Sequence, residues 1–337
     1  MKRALFAGIF ASVCLMLGVN ASAAEKRTCT KEQPCVLRIA TVAPDNTPWA
    51  EQAHSLKRRV ERESEGRINV RPRLGSTAGE NSLARQCRDG SVEAIGVSTA
   101  AIATLVPALS VFEIPFLFDK PEDADRIIDR YLIPRVDKLL SKKGFQLYIF
   151  TENGFRNWAT KGREIHEIKD FRGIQLRSQE SWIHEAMYKA LNANYTTIPV
   201  TEVQTALSTG RVQGFDNTPL FAMAAGWEKA IDTWMISDHI YQPAVVVYNK
   251  EWFDSLPDDL QEILLSNRKE ESRSGRRLVR ATNPLLIENL KANGIKVIKL
   301  TEKERAEMRK ATMSIRDEFR KRVPSGAPLL DIIEKNL

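Results

Sequence analysis

The chain of 337 residues is 43% hydrophobic and 28% charged, a globular balance, with no Pro/Gly-rich or low-complexity linker and no internal repeat. Its formal charge of +7 is a mild excess of 50 basic over 43 acidic side chains; it favours an anionic small ligand and does not demand a polyanion such as nucleic acid. Past the N-terminus no run approaches the roughly 20 apolar residues that cross a bilayer, which argues against a spanning helix in the body of the chain.

Residues 1–24 read as a secretory signal peptide rather than as part of the fold. Lys2 and Arg3 form a basic start, Ala4 to Gly18 an apolar run, and Ala21-Ser22-Ala23-Ala24 a small-residue cleavage site. Val13 before Cys14 is too bulky for a lipoprotein cleavage site, so the expectation is a soluble protein exported to the periplasm. An exported chain permits disulfides, and Cys29 and Cys35 are close enough for a small local loop. Cys87 is then a lone thiol, expected to be buried and structural.

Val36–Thr41 alternates and is β-branched, so it predicts a strand; Trp49–Ser64 has helical periodicity closed by Gly66. Strand Ile68–Arg73, helix Asn81–Arg88 and strand Glu93–Ser98 follow, then helix Glu122–Lys142 and strand Phe145–Thr151. The next group is strands Arg156–Thr160 and Ile174–Arg177, helix Ser181–Leu191, strand Thr196–Pro199, helix Thr201–Ser208 with Thr201 as its cap, and strand Val212–Phe215. Ala244–Asn249 is a strongly β-prone return strand. Helices dominate afterwards, over 258–293 and 302–322, with strand Lys296–Ile298 between them. The basic residues Arg268, Lys269, Arg273, Arg276, Arg277 and Arg280 are interrupted by Glu262, Glu270 and Glu271, which reads as a solvated helix face rather than a nucleic-acid site.

The alternation of β and α segments predicts an α/β fold of mixed sheets flanked by helices. Two such groups with return segments predict two lobes joined by crossing hinge strands near 151–154 and 238–241, followed by a long C-terminal helical region. The first lobe takes 25–152 with about 240–280, and the second 153–239 with about 281–337. Ligands of open α/β sheets bind beyond the C-terminal strand ends, which here means the cleft between the lobes.

Little points to an enzyme. His54, His166, His184 and His239 share no metal-ligand spacing, and there is no Cys-x-x-Cys, phosphate loop or nucleophile elbow, so no cofactor or metal is expected.

Several segments occur together in a telling order: Gly154-Phe155-Arg156-Asn157, Asp170 to Arg177, Thr201 to Gly210, and Gly214-Phe215-Asp216-Asn217-Thr218-Pro219. With Ala43 to Trp49, Gly75 to Asn81 and Ile114 to Phe118, they cover roughly residues 36 to 265. This pattern resembles the substrate-binding component of tripartite ATP-independent periplasmic (TRAP) transporters, the dicarboxylate-binding family. The resemblance implies a two-lobed periplasmic-binding-protein fold that closes on an organic acid and serves an ion-driven permease pair. It implies that Arg177 forms the salt bridge to the ligand carboxylate, with Arg156 and Asn217 at the family's other site positions. A guanidinium offers two parallel donors matching a carboxylate, which fits that role. Arg156 has the alternative of a lobe-to-lobe salt bridge, and Asn217 that of capping the helix beginning near Pro219. Trp158, Trp182 and Phe215 are candidates for an apolar pocket wall, with core packing favoured for Trp182. Asp216, Gln213, Gln204, Asn192 and Tyr195 depart from the usual family residues, leaving the rest of the ligand undetermined. A monomer is expected. A periplasmic sensor subunit with the same pocket is the alternative, and an enzyme acting on organic acids a weaker one.

Overall fold

The computed structural model describes residues 26–337, so the leader expected over 1–24 lies outside the described residues. The first group follows its periodicity: β1 (Cys35–Ala40), α1 (Pro48–Glu63), β2 (Ile68–Arg73), α2 (Glu80–Arg88) and β3 (Ala94–Ser98). Thr47 starts α1, its hydroxyl accepting the Ala50 N–H at 3.2 Å, and Pro48 occupies the first turn, where its missing N–H would have had no helical partner. A disulfide joins Cys29 to Cys35, while Cys87 is buried and free, its thiol pushed well up by desolvation and therefore unreactive.

α3 (Thr99–Ala103) and a 3-10 turn (Pro107–Glu113) lead to α4 (Pro121–Ile127), which continues through a π-helical turn (Ile128–Leu132) into α5 (Ile133–Ser141). β4 (Phe145–Thr160) opens the second group of β5 (Gln175–Ser178), α6 (Trp182–Ala190), β6 (Asn194–Thr197), α7 (Val203–Ser208), β7 (Gly214–Asn217) and α8 (Pro219–Ala224). β8 (Thr233–Asn249) returns, followed by α9 (Lys250–Asp254), α10 (Asp258–Leu265), α11 (Arg268–Ala292), β9 (Lys296–Lys299), α12 (Glu302–Thr312), α13 (Ser314–Arg322) and α14 (Ala327–Asn336).

The strand order is β2-β1-β3-β8-β4-β7-β5-β6, with β9 beside β8. β1 lies parallel to β2 and β3, and β5 parallel to β6 and β7. Between these groups β4 and β8 run antiparallel from Phe145↔Asn249 to Thr160↔Thr233. One end of the β4–β8 pair belongs to the first lobe, through β3, and the other end to the second, through β7 and β9. The fold is thus two-lobed, with two shared strands as the crossing.

Several details differ from the sequence reading, among them the helix expected over 302–322, which is divided into α12 and α13. β4 was expected as two strands but is one, because the chain passes Glu152-Asn153-Gly154 as a bulge rather than a break, with Gly154 at φ 99°. β8 is far longer than Ala244–Asn249; its polar stretch Ser237–His239 bulges out of the ladder between the pairs Arg156↔Ile240 and Trp158↔Met235, and the Asn157 side-chain oxygen holds the bulge by accepting the N–H groups of Ser237 (2.8 Å) and Asp238 (2.9 Å). The helix expected over 258–293 is two, broken at Asn267, which adopts a left-handed φ of 55° that Asn tolerates better than most residues.

α11 crosses both lobes, packing on α1 at one end and on α8 and β9 at the other. Gly275 allows the close approach to α1, since a Cβ there would stand 2.3 Å from the Gln52 side-chain oxygen. The basic residues of this helix are not simply a solvated face, which corrects the sequence reading. Arg276 is buried and pairs with Asp125 (2.6 Å) and Asp129 (2.8 Å), and Arg280 reaches Asp125 (2.8 Å) and the buried Glu152 (2.5 Å). Arg268 donates to the carbonyls of Leu147 and Tyr148. Linear sequence shows the i,i+4 carboxylates but not those delivered from α4 and β4. No helix among the described residues is long and apolar enough to cross a membrane.

Candidate functional site

The parallel strands β5 and β7 are adjacent, with Arg177 opposite Phe215, so Arg177 and Asn217 stand near the C-terminal ends of neighbouring strands. β4 pairs beside β7 with Asn157 opposite Asn217, which brings Arg156 into the same region. Local packing explains why these polar residues hold still. Leu176 turns into the core while Arg177 rests its guanidinium carbon 5.6 Å from the centre of the Trp227 ring. Arg177 Nε donates to the Ile198 carbonyl at 3.0 Å, and its own carbonyl accepts the Tyr188 hydroxyl at 3.3 Å.

The two arginines are both buried but differ in what they touch. Arg156 is saturated by protein groups. Its Nε donates to Asp216 at 2.6 Å, Nη2 to the Asp216 carbonyl at 2.5 Å, and Nη1 to Gln242 (3.0 Å) and Asn217 (3.3 Å). Arg177 has no carboxylate partner among the described residues, and its terminal nitrogens make no hydrogen bond there. Burial, and then the neighbouring Arg156, push its pKa down to about 10, the sign of a cation lacking an anion.

Asn217 does not cap α8. That position belongs to Thr218, whose hydroxyl accepts the Phe221 N–H at 3.3 Å, while Asn217 Oδ1 accepts from the Thr218 N–H (2.8 Å) and from Arg156. These bonds fix the amide with its nitrogen left over, and Asn217 lines the interlobe cleft together with Arg177. Thr201 likewise does not cap α7: Val200–Glu202 forms a 3-10 turn and Glu202 holds the preceding position. Trp158 is fully buried and stacks on His239 at 3.9 Å; Phe215 packs edge-on against Trp227; Trp182 is partly buried, stacked on Phe319 with Arg322 over its ring. None of the three aromatic residues lines the cleft, where Trp49 and Phe221 do.

Beneath the cleft lies a buried polar network that links the lobes. Asp216 accepts from Arg156 and from the Tyr188 hydroxyl (2.8 Å), with His184 Nδ1 at 3.6 Å and His239 Nε2 at 3.5 Å. Glu113, from the first lobe, accepts from Thr99 (2.6 Å), His184 (2.9 Å) and Gln242 (2.8 Å). Burial opposes charge on all of these groups. Arg156 and the histidine contacts nevertheless hold Asp216 well below the usual carboxylate range, and His184 does the same for Glu113. His184, between two carboxylates, is raised in spite of its burial, while burial brings His239 down to about 4, keeping it neutral.

The cleft also takes in Thr41, Val42, Ala43, Glu80 and Asn81 from the first lobe and Gln179 and Glu180 from the second, with Asn153 and Gln242 from the crossing strands. Gln179 bridges the lobes, donating to Ser98 Oγ at 3.3 Å and accepting from Gln242 at 3.2 Å. Sequence reading missed these residues. Gln179 had only its nearness to Arg177 as a signal, since β5 ends at Ser178. Glu80 and Gln242 had none, since they reach the cleft from separate elements. Among the described residues no His/Cys/Asp/Glu group is arranged to hold a metal ion.

Similarity to known proteins places the fold in a family. The family described as bacterial extracellular solute-binding protein, family 7 (DctP), matches residues 39–322, and the chain belongs to it. It is a solute-binding protein of the TRAP type, not an enzyme. It is 26% identical to the 2,3-diketo-L-gulonate-binding periplasmic protein YiaO of Escherichia coli, over 82% of this chain and 84% of that protein. The sugar acid-binding protein DctPAm of Advenella mimigardefordensis, solved with galactonate, is 28% identical with a TM-score of 0.85, covering 90% of this chain and 99% of that one. A TRAP solute-binding protein of Sulfurospirillum deleyianum, solved with succinate, has the same fold at 24% identity, with a TM-score of 0.82 over 89% of this chain and 97% of that one.

Proposed function

We propose that this chain captures a small organic acid in the interlobe cleft and delivers it to the membrane subunits of a TRAP transporter. In this reading residues 1–24 direct export to the periplasm, and the mature chain acts as a monomer. The lobes are 25–152 with about 240–280, and 153–239 with about 281–337. Arg177 pairs with the ligand carboxylate, Asn217 donates its amide to the same group, and Arg156 acts from beneath by fixing Asp216, Asn217 and Gln242.

The observation that carries the reading is the unpartnered guanidinium of Arg177. A buried cation without an anion is costly, and a ligand carboxylate would relieve that cost while gaining two parallel hydrogen bonds. Contacts from both lobes would then favour the closed arrangement. The sugar acids and succinate held by the relatives are of this chemical class. The test is titration calorimetry of the ligand-free mature protein against a library of organic acids, beside Arg177→Ala. The variant is expected to lose about 2–5 kcal/mol of binding free energy while keeping its circular dichroism spectrum. Equal affinities in the two proteins would remove Arg177 from the site.

A further inference from the structure

We propose that the ligand is a monocarboxylate bearing several hydroxyl groups rather than a dicarboxylate, and that Glu80 is the residue that enforces this choice. The proposal rests on acid capture by Arg177. Its own basis is the charge of the cleft wall. Among the described residues that line the cleft the one cation is Arg177, whereas Glu80 and Glu180 supply two carboxylates. Arg156, immediately beneath, offers no second cation, because it is already matched by Asp216 at 2.6 Å.

Glu80 opens α2 and is held in place rather than left to swing away. Its Oε1 accepts the Ser98 N–H at 2.8 Å and its Oε2 the Ser98 hydroxyl at 2.7 Å. Each carboxylate oxygen has a further lone pair to offer. No salt bridge involves Glu80 or Glu180 among the described residues. Burial, and to a lesser degree the nearby Glu113, raise the proton affinity of Glu80 in spite of the two Ser98 bonds and the more distant Arg156.

A single carboxylate on the ligand satisfies Arg177. Whatever extends from it meets Glu80, Glu180 and the side-chain amides of Asn81, Asn153 and Gln179. Hydroxyl groups suit such a wall because each donates to a carboxylate and accepts from an amide N–H. A second ionised carboxylate only accepts, and it would stand beside like charges with no counter-ion. A zwitterion with an ammonium group would satisfy the carboxylates but leave the amide donors unanswered.

The experiment is titration calorimetry of the wild-type protein at about pH 8, above the ordinary carboxylate range. The probes are aldonates and uronates, including gluconate, galactonate and glucuronate; dicarboxylates, including succinate and malate; and α-amino acids. The tightest binder is expected to be a polyhydroxy monocarboxylate, ahead of every dicarboxylate by about tenfold or more. Glu80→Gln is expected to narrow that ratio, weakening the hydroxy acid and strengthening the dicarboxylate. A dicarboxylate or an amino acid that binds most tightly, and loses its affinity in Arg177→Ala, would overturn the proposal while leaving acid capture intact. If no probe depends on Arg177, acid capture itself fails and this inference with it. Because Glu80→Gln also alters the Ser98 contact, the wild-type ranking decides the matter even if that variant folds poorly.

Discussion

Arg156 and Arg177 are of one residue type, equally buried and close together, yet they are prepared for different tasks. Asp216 neutralises Arg156 from within the protein, which turns it into a brace for Asn217 and Gln242. Arg177 is left with a backbone carbonyl and the Trp227 face, neither of which supplies an anion. The histidines around Asp216 diverge in the same way, and one consequence can be measured. His239 is neutral when folded, with a pKa of about 4, against an ordinary value of about 6.5 when unfolded. Between those values the unfolded chain binds a proton that the folded chain refuses, so stability falls as pH drops from about 6.5 to about 4. His239 should account for about 3 kcal/mol of that fall. His239→Phe, which keeps an aromatic ring on Trp158, should lose this share of the slope in urea titrations across the window. A wild-type and variant slope that coincide would contradict the burial of a neutral imidazole.

At the scale of elements, the decisive pair is β4 and β8, because their two ends belong to different lobes. The bulge at Glu152–Gly154 marks their midpoint, and the positive φ of Gly154 is the conformation an L side chain resists. A Cβ at Gly154 would meet only Val279, at an ordinary 3.8 Å, so the obstacle is the backbone alone. Gly154→Ala should therefore cost about 1–2 kcal/mol in chemical denaturation with an unchanged m-value. Beside it, Arg280 of α11 holds the buried Glu152, which also accepts the Tyr241 hydroxyl at 2.6 Å. Arg280→Met would leave Glu152 with that hydroxyl only. The expected loss is about 2–3 kcal/mol at neutral pH, below the usual range for a fully buried pair because Arg280 is partly solvated. The loss should shrink on acidification, since burial already raises the pKa of Glu152 and the protonated acid needs no cation. A penalty independent of pH would mean that lost packing, not lost charge, is responsible.

For the whole molecule, the proposed cycle predicts linkage between binding, stability and shape. A ligand at 100 times its dissociation constant should raise the unfolding free energy by about 2.7 kcal/mol. The same ligand should reduce the radius of gyration in small-angle scattering as the lobes close. Stabilisation without compaction would indicate a cleft already closed before binding. In that cycle closure would have an anchor on each side, because the cleft is lined by Glu80 from the first lobe, Arg177 and Asn217 from the second, and Gln242 on the crossing strand between them.

The sequence by itself determined the alternation of strands and helices and the two-group plan, which depend on local periodicity; Arg177 and Asn217 stood out only through the family resemblance of the short motifs that carry them. The long reach of β4 and β8 escaped it, because Glu152-Asn153-Gly154 and Ser237-Asp238-His239 look like breaks until their polar groups find buried partners elsewhere. So did the state of each arginine. Whether a guanidinium is spent or available depends on carboxylates arriving from other strands and helices, as Asp216 does for Arg156 and Asp125 for Arg276. Glu80 and Gln242 entered the cleft for the same reason, and only the tertiary structure could place them there. Burial and pairing are properties of the assembled environment, and a linear chain carries the groups without the distances that give them their charge and their work.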